Sequence, residues 1–271
     1  MLIPGRIEFL GKHTDYCGGR SIVCAIDRGF HADIEPRNDD NVRLINRDTN
    51  ETVTVSISSP QTDPSHWSKY AAEVIKRFAD NFPEARRGVT IAFHSDLPQA
   101  SGLSSSSALM IMVFAALAEV NEIHHDPAFQ KNIPDRYHLA EYLGCIENGQ
   151  TFNGLKGSAG VGTFGGSQDH AAITLSRKNY LHRIAFSPLR AEDSFNVPAD
   201  MCFAVASSGV VAEKTGAARK RYNALSQMVS ALTASIDKGK TFAELIEANG
   251  VDEIKQKIVA NTFDFPTERM L

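Results

Sequence analysis

The stretch that most constrains the chain is Leu97-Pro98-Gln99-Ala100-Ser101-Gly102-Leu103-Ser104-Ser105-Ser106-Ser107-Ala108-Leu109. It follows a strand-like run, Val89 to Phe93, and enters an apolar run, Ala108 to Val120, that reads as a helix hydrophobic almost all round and hence buried. The order is strand, small-residue loop, helix N-terminus. Gly and Ser allow a backbone to approach a phosphate closely, and the free N–H groups and dipole of a helix start favour negative charge there. The four hydroxyls of Ser104 to Ser107 can cap the helix, bind phosphate oxygens or reach Mg²⁺. Two readings stay open on these residues alone: a phosphate loop, and a Ser-rich cap before a buried helix.

With 271 residues the chain can bury a sizeable core and divide into two modest domains. The formal net charge is −4 and no long basic run occurs, which argues against nucleic acid or an anionic membrane as a partner. Cys17, Cys24, Cys145 and Cys202 show no CxxC spacing and read as reduced thiols, not as a disulfide frame or a zinc site. No signal peptide is visible, and the longest apolar run, Ala108 to Ala118, is too short to span a bilayer. The expected location is cytoplasmic.

A second informative stretch, Pro4 to Gly19, packs Arg6, Lys12, His13 and Asp15 between strand-like residues. Phe30 to Ile34 and Val53 to Ile57 read as strands, the latter alternating apolar and hydroxyl side chains. Trp67 to Phe78 has helical spacing, with Trp67 either packing or free to stack on a base. A further helix, opened by Pro134-Asp135, carries Glu147. A loop with Gly154, Gly157, Gly160, Gly162, Gly165 and Gly166 leads to Ser167-Gln168-Asp169-His170 and an apolar run, Ala171 to Leu175, that reads as a strand. Strands are expected at Tyr180 to Phe186 and Met201 to Ala206, then a helix from about Lys214 to Asp237 with a basic, solvated start, and short helical pieces from Phe242 on.

These residues resemble a known family. Pro4-Gly5-Arg6-Ile7-Glu8-Phe9-Leu10-Gly11-Lys12-His13-Thr14-Asp15-Tyr16 resembles the first motif of galactokinases, P-G-R-V-N-L-I-G-E-H-T-D-Y. Pro98 to Ala108 resembles P-x-G-x-G-L-S-S-S-A of the wider GHMP kinase superfamily. Gly165 to His170 is similar to the family's C-G-I-M-D-Q segment, and Trp67 with Tyr70 to its W-x-x-Y pair. The resemblance implies a two-lobed α+β GHMP kinase fold. Residues 1–178 would form an N-terminal lobe like domain 2 of ribosomal protein S5, and residues 179–271 an incomplete ferredoxin-like C-terminal lobe.

It also implies transfer of the ATP γ-phosphoryl group to the anomeric hydroxyl of a small sugar, with Mg²⁺. Carried over residue by residue, Asp169 is the catalytic base and Arg6 its charged partner. An arginine lowers a carboxylate's pKa and steadies phosphoryl charge. Asp15, His13 and Gly166 would lie at the sugar. Ala100, Ser101, Gly102, Leu103, Ser104, Ser105, Ser106 and Ser107 would hold the phosphates, with Trp67 near adenine and Ser106 and Glu147 on the Mg²⁺ side. More distant relatives such as mevalonate or homoserine kinases lack the G-x-H-T-D-Y loop.

Four departures bear on function. Lys12 stands where galactokinases have a glutamate that accepts from the sugar 6-hydroxyl; lysine cannot accept, and it favours an anion. A hexuronic acid such as galacturonate would give it one, worth ~1.5–3 kcal/mol in a closed cleft. Gly216 aligns with the tyrosine of the family's Y-x-x-R-R-R segment, which implies a changed sugar pocket. Glu147 and Asp169 lie 22 positions apart, further than the superfamily spacing. The family's glycine-rich third motif is not found after residue 180, so self-association or a complementing chain is expected, and a kinase-like sugar or nucleotide sensor or an inactive truncated fragment is the alternative to an active sugar kinase.

Overall fold

The computed structural model describes residues 1–98, 101–206 and 216–260. The strands are β1 (Leu2–Leu10), β2 (Arg20–Pro36), β3 (Asn41–Asn46), β4 (Glu51–Ser56), β5 (Val89–Ser95), β6 (Tyr180–Phe186) and β7 (Leu189–Asn196). The helices are α1 (Ser68–Asn81), α2 (Ser105–Val120), α3 (Pro127–Asn132), α4 (Arg136–Asn148), α5 (Gln168–Leu175), α6 (Gly216–Ile236), α7 (Phe242–Asn249) and α8 (Val251–Ala260).

All seven strands share one sheet in the order β4-β3-β5-β2-β6-β7, with β1 also paired to β2. β2 is the spine. It pairs β1 along its middle, β5 from Phe30 to Pro36 and β6 from Arg20 to Val23. Only β3 and β5 run parallel. The sheet therefore continues past residue 178, the expected end of the first lobe, and reaches Asn196. Past that strand, the described elements are helices.

The helical layer follows from the apolar pattern. α2 is hydrophobic all round, and Ala108, Met110, Met112, Val113, Ala116 and Leu117 are completely or almost completely buried. It packs against α1, β1, β2 and β5. Phe78 and Phe82 of the α1 side meet Phe114 and Tyr142 through edge-to-face contacts, which favour this offset geometry over a stacked one. Asp135 caps α4 by accepting from the N–H groups of Tyr137 and His138.

Two expected strands are not formed. Ala171 to Leu175 belongs to α5. A short apolar run does not distinguish a buried helix from a strand, and here two alanines let the segment sit close against α4. Met201 to Ala206 pairs with no described strand; Met201, Phe203 and Val205 are exposed, and the Phe203 ring meets the Phe9 ring edge-on. β7 escaped notice because Arg190, Glu192 and Asp193 break its apolar pattern. It is an edge strand tied to β6 by Arg183–Asp193 and Arg183–Glu192 ion pairs.

The glycine loop after α4 is anchored from below by α1. Arg77, with no exposed surface, donates to the Gln150 carbonyl at 2.6 Å and lies over the Tyr142 ring at 5.6 Å. Glu73 accepts from Ser158 Oγ and the Gly160 N–H, and Asn81 donates to Tyr142 Oη. Removing the guanidinium leaves a cavity and an unpaired carbonyl. Arg77→Ala is expected to lower unfolding stability by ~3 kcal/mol and to open residues 149–162 to proteolysis. Urea melts and limited digestion check this; a loss under ~1 kcal/mol would show that the loop stands without Arg77.

Candidate active site

A cleft of about 1290 Å³ opens between the end of β1, the loop before β2, the loop before α2, the glycine loop and α5. An ion pair lies in it. Arg6 Nε donates to Asp169 Oδ1 at 2.8 Å, and Nη2 lies 2.6 Å from the same oxygen. Arg6 Nη1 donates to the Gly102 carbonyl at 2.7 Å, so one guanidinium holds both the carboxylate and the loop before α2. That loop lies on β1 because residue 5 is glycine: a Cβ there would stand 2.9 Å from the Leu103 carbonyl oxygen and 2.7 Å from Leu97. Ser101, Gly102, Leu103, Ser104, Ser105 and Ser106 line the cleft at the start of α2, whereas Ala100 lies outside the described residues.

Oxygen ligands converge beside Asp169. Ser107 Oγ donates to Glu147 Oε2 at 3.0 Å and lies 3.4 Å from Asp169 Oδ2. Thr163 Oγ1 donates to Glu147 Oε1 at 3.2 Å, and His170 Nε2 is 3.5 Å from Glu147 Oε2. Glu147 thus reaches Asp169 through one hydroxyl despite the inserted loop. The serine that joins the two carboxylates is the fully buried Ser107, next to the expected Ser106, which lines the cleft. No cluster of three or more His, Cys, Asp or Glu side chains suited to a metal occurs among the described residues. One or two carboxylates plus hydroxyls, with room for phosphate and water, fit Mg²⁺, which seldom takes an all-protein cage.

The polar loop between β1 and β2 forms the other end. Thr14 Oγ1 bonds the carbonyls of Gly11 and Arg20 and closes the loop. His13 adopts a left-handed backbone, φ 62°, and its ring lies 6.1 Å from Tyr16 and 5.5 Å from Tyr222. Burial, then the Lys12 charge, lower the His13 pKa. Asp15 is pushed up to about 6 by burial first and by the Asp169 charge second, against hydrogen bonds from the N–H groups of Tyr16, Gln168 and Gly166. Gly166 is required here, since a Cβ would stand 2.6 Å from Asp15 Oδ2. Lys12 is exposed at the rim of the same cleft.

At the far end Trp67 packs edge-on against Phe93, and its Nε1–H donates to Glu51 Oε2 at 2.8 Å. Glu51 also faces His66 Nε2 at 2.7 Å. Asn46, at the end of β3, and Asp48 and Thr49, from the turn before β4, complete this wall.

Several cleft residues were not singled out from the sequence. Tyr222 reads there as one of the apolar positions of α6, and Gly216 as the replacement for the family's pocket tyrosine. In the structure Tyr222 itself lines the cleft, with its hydroxyl 2.7 Å from where a Cβ on Gly165 would stand. Asn223 fixes it there: Nδ2 donates to the Gly162 carbonyl and Oδ1 accepts from the Phe164 N–H. The adjacent Tyr-Asn pair, following a glycine-rich loop that needs polar partners, was the available signal. Thr163, Glu8 and Gln168 were missed because their roles depend on which face of an element they occupy, and Ser107, read as part of the phosphate loop, is the serine that joins Glu147 to Asp169.

Comparison with known proteins agrees with this architecture. Residues 69–177 match the model of the GHMP kinases N terminal domain, and residues 4–36 the galactokinase galactose-binding signature. A galactokinase from Actinobacillus pleuropneumoniae is 37% identical over 111 residues, covering 41% of this chain and 29% of the relative. One from Glaesserella parasuis is 39% identical over 112 residues, again 41% and 29%. The match thus spans under a third of these relatives' length. The structure of a Lactococcus lactis galactokinase complexed with galactose has the same fold, with a TM-score of 0.61 and 21% identity over 96% of this chain and 68% of that one. In fold and motifs the chain resembles the GHMP kinases, whose N-terminal domain model matches residues 69–177. Within that class it is galactokinase-like, as its first motif and both relatives show.

A carboxyl whose folded pKa exceeds its unfolded value contributes stability at low pH that is lost as pH rises through the folded value. For Asp15 that window runs from its ordinary 3.8 to about 6. Asp15→Asn is therefore expected to stabilise the chain by ~2–3 kcal/mol near neutral pH, with the gain fading toward zero in acid. Chemical denaturation across that range checks it; an equal effect at both ends would remove the Asp15 ionisation as the cause.

Proposed function

We propose that the chain is an ATP-dependent sugar kinase that phosphorylates the anomeric hydroxyl of galactose or a galactose-like sugar. The observation that carries the reading is the Arg6–Asp169 pair, set between the loop before α2 and the loop that holds Asp15. The galactose-binding signature over residues 4–36 supports the choice of sugar. In this reading Asp15, His13 and Gly166 hold the sugar, with Tyr222 closing over it. The loop of Ser101 to Ser106 and the first turn of α2 hold the phosphates, and the Trp67 and Phe93 wall takes the base. Ala100 stays part of that loop as an expectation.

Asp169 accepts the proton of the anomeric hydroxyl as its oxygen bonds the γ-phosphorus; the bond from that phosphorus to the β–γ bridging oxygen breaks, and ADP leaves with the electron pair. Arg6 orients Asp169 and offsets charge on the transferring group. Ser107, Ser106 and Glu147 are the residues that would hold Mg²⁺, which supplies charge neutralisation at the phosphates. His13, kept neutral by burial and Lys12, can donate or accept at the sugar.

A second reading concerns the sugar alone. Lys12 lines the cleft with its side chain exposed and enters no ion pair among the described residues. An ammonium so placed favours a substrate with a carboxylate, as in galacturonate.

The test is ATP consumption with Mg²⁺ against galactose, glucose, galacturonate and glucuronate. Asp169→Ala is expected to reduce turnover ~10²- to 10⁴-fold with the best sugar. Binding without turnover by the unaltered chain would favour a sugar or nucleotide sensor. Lys12→Glu is expected to shift preference about tenfold toward neutral hexoses; an unchanged ratio of galacturonate to galactose would remove the uronate reading and leave the kinase.

A further inference from the structure

The sugar end of the cleft contains a polar pair that the phosphoryl-transfer scheme does not use. Side chains alternate along a strand, so Arg6 and Glu8 project from the same face of β1. Each meets the first turn of α5: Arg6 meets Asp169, and Glu8 meets Gln168. Gln168 Nε2 donates to Glu8 Oε2 at 2.7 Å, and its Oε1 accepts from Ser21 Oγ at 3.1 Å. With Gln168 only 4% exposed, this double contact fixes which end of the amide faces Glu8. The Gln168 N–H also points to Asp15 Oδ2 at 3.4 Å, so the residue that holds Glu8 touches the sugar loop as well.

An amide is a neutral donor. It orients the Glu8 carboxylate without cancelling its charge, and it occupies only one of the two oxygens. Glu8 lines the cleft beside Lys12, His13 and Asp15, and its charge raises the His13 pKa while that of Lys12 lowers it. Lys12 cannot accept a hydrogen bond at this end, whereas Glu8 can.

We propose that Glu8 is a substrate-contacting, specificity-determining residue, whose carboxylate, held by Gln168, accepts a hydroxyl of the bound sugar. This deepens the sugar-kinase reading and rests on it. Glu8 and Lys12 then act in opposition: the first favours hydroxyl donors and repels a carboxylate, and the second attracts one.

The experiment is titration calorimetry of the full chain with galactose and with galacturonate, alongside thermal melts of each variant. Glu8→Ala is expected to weaken galactose binding about tenfold or more. The double variant Glu8→Gln with Gln168→Glu reverses donor and acceptor, keeps their hydrogen bond, the Ser21 contact and the net charge, and moves the carboxylate from the half-buried position 8 to the buried position 168, leaving a neutral amide at position 8. It is expected to unfold in one cooperative transition, below the unaltered chain because position 168 is buried beside Asp15, to bind galactose several-fold more weakly, and to gain on galacturonate relative to galactose. Galactose affinity within twofold of the unaltered chain in Glu8→Ala overturns the proposal. Full affinity in the double variant also overturns it, because the pair would then serve the fold alone. Failure of the unaltered chain to bind either sugar overturns the kinase reading and this proposal together, whereas normal binding with an indifferent Glu8→Ala overturns only the proposal.

Discussion

The ion pair between Arg6 and Asp169 is the contact on which the cleft depends. It joins the first strand to a helix 163 positions further along the chain, and the same guanidinium holds the Gly102 carbonyl. A half-buried charge that lost its partner would carry a desolvation cost without compensation. The pair is therefore a clamp that sets the distance between the strand, the loop before α2 and α5.

Around that clamp the cleft is built from elements of unequal kind. The start of α2 is backed by the main core, with Met110, Phe114 and Leu117 buried against α1 and the sheet. The glycine loop has little apolar surface of its own and is held by polar side chains, with Arg77, Glu73 and Asn81 below it and Asn223 beyond it. Asp15 sits where these parts meet, carrying a charge that its surroundings disfavour. Such a carboxylate is expected where function rather than stability sets the residue.

Much of this was legible in the sequence. The α2 helix was readable because its apolar run is long and its start is marked by glycine and serines. Arg6, Asp15 and Asp169 were readable because each sits in a short motif whose chemistry is explicit. α5 was misread because five small and apolar residues fit either a strand or a buried helix, and only packing against α4 decides between them. Tyr222 was misread because a pocket residue on a helix has the same spacing as a core residue. Ser107 was read with the phosphate loop and not as the link between Glu147 and Asp169, because four serines in a row leave the rotation of the helix start undefined until its burial is known.

The length of β2 has a consequence of its own. Seventeen residues of one strand lead from the polar loop at Arg20 to Pro36, past Phe30 in the cleft wall. The two ends of the cleft are thus measured off along a single backbone. A substitution in β2 alters one contact, but inserting or deleting one residue would turn every later side chain to the opposite face and break its register with β1, β5 or β6. Variation among chains of this design should then accumulate in the loops that the ruler spaces apart, while the ruler itself keeps its count.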